Sequence, residues 1–381
     1  MNEQYRYLRQ APSDGGSFRP HGDFWLRLHL DLPLLIALMV TSTLGMAVLF
    51  SASGQDWHLL LKQGLSFLLG FGVMLFMAQI PPRLYHTLSP WLYIVVLGLL
   101  VAVAVAGTVA MGARRWLTIP GVTRFQPSEF MKLAMPLMMA WFLSGRILPP
   151  SLKNIAIAFA LIGMPAALIA RQPDLGTALL VAGSGFFVLF LAGLPWWFLG
   201  LSLAAAAAGA PVAWHFLHDY QRQRLLTLID PESDPLGAGW NIIQSKTAIG
   251  SGGMFGKGWF HGSQAHLDFL PEGHTDFIIA ALSEEFGLLG ILVLLGLYGF
   301  ILSRSLYIAG SATDGFSRLL AGGITLSFFV YVFVNAGMVS GILPVVGVPL
   351  PFVSYGGTAI ITLMSGFGML MSIHTHKKLM Q

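Results

Sequence analysis

His266 to Gly287 reads HLDFLPEGHTDFIIAALSEEFG, and the fold turns on how its two halves are taken. The first half is polar, carries Pro271 and Gly273, and closes a loop. The second half starts at Asp276 and runs without a break into an apolar helix. Asp268, Glu272, Asp276, Glu284 and Glu285 lie here with His274, so the stretch holds five of the chain's 17 acidic residues. An ionisable group inside a bilayer is costly unless it is used. The stretch therefore marks a membrane boundary and a candidate site of chemistry together.

The rest of the chain is mostly hydrocarbon. Of 381 residues, 55% are hydrophobic and only 10% are charged, with a mean hydropathy of +0.71. Soluble domains carry roughly 25% charged residues, which excludes that class. The net charge of +4 is spread singly between apolar spans, so it forms no nucleic-acid-binding face. With no cysteine, neither a disulfide framework nor thiol chemistry is available.

Apolar runs of about 18 to 25 residues, long enough to cross a hydrocarbon core, lie at Leu32–Phe50, Leu59–Ile80, Leu88–Gly107, Ser128–Gly145 and Ile155–Ala170. Five more lie at Leu175–Leu194, Trp196–Phe216, Asp276–Ser303, Phe316–Gly341 and Ser354–Ile373. The expected fold is an all-α polytopic membrane protein of about ten transmembrane helices. A single domain over 32–373 lies between a cytoplasmic tail at 1–31 and another at 374–381. Lys and Arg total about 11 on the side of the tails, against about 4 in the short loops opposite, which sets both termini in the cytoplasm. The third, seventh and ninth loops then face outward. The seventh, 217–275, is far longer than a helix connection needs. Its glycines and its aromatic residues Trp240, Phe255, Trp259 and Phe260 suggest a folded cap on the membrane surface.

Asp276 has two readings. An aspartate before an apolar run suits a helix cap, because its carboxylate takes unpaired backbone N–H groups. Asp268 and Glu272, eight and four residues earlier, make an acidic cluster instead, and clustered carboxylates push their pKa values apart as a general base requires. The residues alone leave both open. Glu284 and Glu285 fall about 12 Å further along such a helix; the plain reading is a tilted or broken helix where they pair with a base. In the fourth span Ser128 reads as the cap, while Glu129 and Lys132, three apart, can form an ion pair. Arg114, Arg115 and Arg124 before it, with Arg222, Arg224, Lys246 and Lys257 of the long loop, are bases suited to a pyrophosphate headgroup. Asp174 in RQPDLGT reads as a cap for the sixth span. The ninth loop, GILPVVGVPLPFVSYGG, is too apolar for water and too rich in proline for helix. It reads as a packed re-entrant segment.

QPSEFMK, RQPDLGT, DPLGAGWNIIQSKTAIGSGG, FLPEGHTDF with AALSEEFG, and NAGMVSGILPVVGVPLPFVSYGG together resemble the SEDS family of cell-wall polymerases, the RodA and FtsW group. The resemblance runs through all spans in order. HDYQRQR, DPESDPLGAG and the MSIHTHKK ending are more similar to the elongation branch than to the division branch. It implies a ten-span bundle in the bacterial inner membrane that polymerises lipid II outside it, by an inverting transfer with undecaprenyl pyrophosphate as leaving group. It also implies a class B penicillin-binding transpeptidase and other elongation-machinery membrane proteins as partners. By resemblance, Asp276 matches the family's essential aspartate, Glu129 and Lys132 its polar cavity pair, and Trp116 and Arg124 its outer-loop positions. Asp268 falls where relatives are acidic. Arg115, Arg222, Lys246, Glu272 and His274 complete the candidate substrate-binding set. No cofactor is implied with certainty, although the acidic cluster would admit a divalent cation, Mg or Mn. A lipid II flippase is the competing reading. It predicts charge along the whole path, whereas here the polar groups gather at one end, Lys62 apart.

Overall fold

The computed structural model describes residues 28–110, 113–119, 123–216, 219–234, 238–262 and 273–376. The tails called at 1–31 and 374–381 fall mostly outside them. All ten apolar runs are helices: α1 Leu32–Ala52, α2 Trp57–Gln79, α3 Pro82–Ala106, α4 Pro127–Ser144, α5 Leu152–Ala170, α6 Leu175–Leu191 and α7 Trp196–Phe216, then α10 Ile278–Gly310, α11 Gly315–Val339 and α12 Gly357–Thr375. Seven of them are long and apolar enough to cross a membrane; α6 is shorter, as is the apolar part of α7, and α4, with its buried ion pair, is outside that set. The chain is a multi-pass helical membrane protein.

The long loop supplies α8 Asp219–Ile229, a 3₁₀ turn at Pro231–Ser233 and α9 Ala238–Gly252. Between α3 and α4 lies a small antiparallel sheet, β1 Thr108–Ala110, β2 Ala113–Ile119 and β3 Thr123–Phe125, in the order β1-β2-β3. The hydropathy pattern gave no sign of it, since these short strands sit in a polar connection.

Local chemistry sets the helix ends. Aspartate side chains cap four helices: Asp31 takes Leu34 N at 3.0 Å, Asp56 His58 N at 2.8 Å, Asp174 Thr177 N at 3.1 Å and Asp314 Ser317 N at 2.9 Å. Asp174 thus has the capping role expected of it. Ser128 does not: α4 is capped at Gln126 with Pro127 in the first turn, where a missing N–H costs nothing. α3 starts at Pro82, six residues before the apolar run, for the same reason.

Helix packing in lipid relies on close contact, because tails are as apolar as leucine. α2 lies along α12, α3 along α4, and α11 packs on α4, α6 and α10. At the end that carries the tails, Asp31 accepts two bonds from Arg304 Nε at 3.1 and 3.2 Å and one from Nη2 at 2.7 Å, with His374 Nε2 at 3.3 Å. His29 and His376 stack there at 3.9 Å. Burial first, and then the neighbouring His376 ring, hold His29 below the usual imidazole range. These contacts tie α1, α10 and α12 together.

Candidate functional site

α10 is two helices joined at a break. Gly287 has φ 64 and ψ −161, well outside helical values. About 13 Å from Ile278, the ladder of backbone hydrogen bonds is therefore interrupted, and hydrocarbon offers no substitute partners. The glycine-rich turn after α9 fills the gap. Lys257 N and Gly258 N donate to the carbonyls of Glu284 and Glu285 at 2.9 and 3.0 Å. In return, Leu288 N and Leu289 N donate to Gly253 O and Met254 O at 2.9 and 3.2 Å. So close an approach requires glycine: a Cβ on Gly256 would stand 2.1 Å from Glu285 O, and one on Gly287 2.4 Å from Gly256 N.

Side chains complete this clip. Glu284 is fully buried and its Oε1 lies 2.6 Å from Lys257 Nζ; buried Glu285 accepts from the Ser51 hydroxyl. This is the broken helix expected for the two glutamates; Glu284 pairs with a base as expected, whereas Glu285 takes a serine hydroxyl. Trp259 Nε1 donates to Ala47 O at 3.2 Å and Phe260 meets Phe50, so the cap is pinned to the end of α1.

Asp276 lies at the near end of the first half of α10. The cap position falls on Phe277, one residue beyond Asp276. The aspartate is half-buried in a turn over 273–277. The backbone of that turn is held from several directions. Tyr355 N donates to His274 O at 3.0 Å, the Ser354 hydroxyl donates to Thr275 O, and Asn335 Nδ2 donates to Asp276 O at 2.9 Å. The carboxylate lies against Gly347, whose Cβ, if present, would be 3.4 Å from Asp276 Oδ2. Gly347 has φ 73, the left-handed region that glycine enters without strain.

The re-entrant reading of the ninth loop holds. Val348, Leu350, Phe352, Val353 and Ser354 are all buried. Their polar backbone is satisfied by neighbours: Tyr298 donates to Pro351 O at 2.6 Å, Gln63 Nε2 to Ser354 O at 3.0 Å, and Leu350 N to Ser354 Oγ at 2.9 Å. Leu180, Tyr331 and Val348 pack together, joining this loop to α6 and α11.

Glu129 and Lys132 form the expected ion pair on α4, with Nζ–Oε1 2.6 Å and both residues buried. Lys132 Nζ sits 5.1 Å from the Tyr331 ring centre. Lys132 and Tyr331 also line a narrow cleft with Pro136, Phe328 and Thr362. The Glu129 Oε2 atom is buried without a hydrogen-bond partner among the described residues.

The other sequence candidates separate. Arg115 grips the RQPD turn: Nε donates to Gln172 O at 3.1 Å, Nη2 to Pro173 O, and Nη1 stands 3.8 Å from Asp174. Arg222 donates to Trp214 O and His215 O at 3.0 and 2.9 Å, closing the end of α7. Lys257 is engaged by Glu284. Lys246 on α9 is exposed, and its ammonium lies against Gly341 at the end of α11. Trp116 and Arg124 sit in β2 and β3, with Trp116 O accepting from the Thr108 hydroxyl at 3.2 Å and Arg124 paired with Thr118. Asp268 and Glu272 lie outside the described residues. Among the described residues no group of three or more His, Asp and Glu could hold a metal ion, so by themselves they make no cation site. Sequence reasoning passed over Asn335, Tyr331 and Gly347. The signal for Asn335 was a lone amide inside an apolar span.

Comparison with known proteins agrees over nearly the whole chain. The cell cycle protein family of FtsW, RodA and SpoVE matches residues 25–379. The chain is 57% identical to the peptidoglycan glycosyltransferase MrdB of Escherichia coli K12, covering 94% of this chain and 96% of that one. It is 36% identical to a probable peptidoglycan glycosyltransferase FtsW of Trichlorobacter lovleyi, covering 92% and 94%. Among solved structures, a peptidoglycan synthase complex described for coordinated polymerisation and crosslinking matches with TM-score 0.80 and 34% identity, over 90% of this chain and 97% of that one. The rod shape determining protein RodA of Thermus thermophilus matches with TM-score 0.68 and 30% identity, over 90% and 96%.

Proposed function

The chain belongs to the FtsW, RodA and SpoVE family, the SEDS family, and we propose that this peptidoglycan glycosyltransferase polymerises lipid II with Asp276 as its general base. The observation that carries the reading is the placement of Asp276. The aspartate directly precedes the cap residue of a membrane helix, and the turn that carries it is held by three hydrogen bonds from α11 and the re-entrant loop, one of them to its own carbonyl. A fixed backbone with a half-buried carboxylate suits proton abstraction, which needs a base held within hydrogen-bond reach of its proton.

In the proposed step, the 4-hydroxyl of one lipid II attacks the anomeric carbon of the growing strand. Its proton passes to the Asp276 carboxylate as the new glycosidic bond forms. The bond from that carbon to the undecaprenyl pyrophosphate oxygen breaks on the opposite face, so configuration inverts. The leaving group departs with its negative charge, which basic side chains at the site end would stabilise. Lys132, paired with Glu129 at the cleft, exposed Lys246 and Arg124 of β3 are the candidates, while Arg115 and Arg222 already donate to backbone carbonyls. Elongation is the setting the family branch supports, with an inner-membrane location and both termini cytoplasmic. A class B penicillin-binding transpeptidase is the proposed partner, and likeness to a solved peptidoglycan synthase complex supports it.

The test is polymerisation of labelled lipid II by the purified protein with its cognate transpeptidase, whose own active-site serine is blocked. Wild type is expected to make glycan strands and a folded Asp276→Asn none. Strands from both would reassign the base. Strands from neither, with lipid II crossing liposomes, would favour transport instead.

A further inference from the structure

Asn335 opens the NAGMVSG stretch that ends α11 and is completely buried. Its Nδ2 donates to Val348 O at 2.7 Å and to Asp276 O at 2.9 Å. Both partners are carbonyls, so the amide nitrogen must face them. The Oδ1 atom is then left buried with no hydrogen-bond partner among the described residues. An unpaired acceptor of this kind is rare in folded proteins and calls for an explanation. Leucine or valine would fill the same space in this apolar span at no such cost.

What the amide achieves is a link between segments far apart in sequence. It is 59 residues from Asp276 and 13 from Val348. One turn earlier on the same helix, at Tyr331, α11 meets Lys132, and Tyr331 packs on Val348. Residues four apart lie on one helix face, about 6 Å along the axis. One rigid turn of α11 thus touches the main chain of the proposed base, the re-entrant loop under it, and the buried Glu129–Lys132 pair.

We infer that Asn335 is a positioning residue: its amide sets Asp276 at a fixed height above Gly347 and in register with Lys132. This rests on the reading of Asp276 as the base. The residue contacts no reacting atom, so its effect is on geometry, where a displacement of about 1 Å costs roughly a hundredfold in rate. Substrate affinity, which depends on a larger set of contacts, is spared.

The experiment is steady-state polymerisation of labelled lipid II by Asn335→Leu in complex with its serine-blocked transpeptidase. Rates are expressed per folded molecule, counted by thermal melting and by co-purification of the partner. Ser245→Ala is the comparison, since Ser245 is also buried and donates to α11 at Val339 O at 2.9 Å. The expected result is a kcat lower by tenfold to a hundredfold with KM within about twofold for Asn335→Leu, and little change in either for Ser245→Ala. An unchanged kcat, or equal losses in both variants, would reduce Asn335 to a packing residue. Failure of the base reading shows separately, as activity retained by Asp276→Asn. A kcat loss in Asn335→Leu beside an active Asp276→Asn would overturn the inference too, because the amide would then be acting elsewhere.

Discussion

Two acid–base pairs built on buried glutamates have the same separation and opposite surroundings. Glu129–Lys132 and Glu284–Lys257 each place Nζ 2.6 Å from Oε1. The first is a pair within one helix, three residues apart, beside a cleft, with one glutamate oxygen left without a partner among the described residues. The second joins a loop to a broken helix, amid four backbone hydrogen bonds that cross the same gap. A buried ion pair is weak evidence for stability, because desolvation offsets much of the attraction. What surrounds the pair decides its role. The Glu284 pair closes a gap in a helix, whereas the Glu129 pair borders a narrow cleft with one acceptor to spare.

The sharpest way to break this contrast is Lys257→Met, which leaves the fully buried Glu284 without its ammonium. Thermal melting in detergent should show a loss of about 3 kcal/mol, the low end for breaking such a pair since Lys257 is one-third exposed. Polymerisation per folded molecule should stay within about twofold of wild type. Lost turnover with intact stability would invert the two roles. Next in size, Glu129→Gln keeps an acceptor for Lys132 but removes the countercharge. A fall in kcat of about a hundredfold is expected, equivalent to roughly 2.7 kcal/mol of barrier, with a smaller loss of stability. The smallest effect is expected from Ser51→Ala, which removes one hydrogen bond to Glu285. It should lower stability by about 1 kcal/mol and leave turnover unchanged.

The spans were legible in the sequence because crossing lipid demands long apolar runs, and ten such runs became ten helices. Asp276 was legible as a candidate through its acidic neighbours, though not as a residue set one position before its helix cap. That depends on Phe277 taking the cap position, which no pattern encodes. The clip was half-visible. GSGGMFGKG announced tight turns, and Glu284–Glu285 announced a need for partners, but only the folded chain shows that each answers the other. The backbone carbonyls that take up Arg115 and Arg222 donors were not legible, because hydropathy and charge say nothing of how a turn folds back. Asn335 was missed for the same reason in reverse, its importance residing in two carbonyls far along the chain.

The clip at Gly287 also bears on how the protein is made. Residues 253–258 leave the ribosome before the helix they repair. They lie, moreover, in the connection leading into α10. The donors and acceptors for its interrupted turn are thus synthesised before α10 itself. A swap of the order, as in a circular permutation that opens the chain between α9 and α10, would send a broken helix into lipid with four stranded peptide groups. The position of the glycine-rich turn in the chain is thus a matter of timing during insertion as well as of shape.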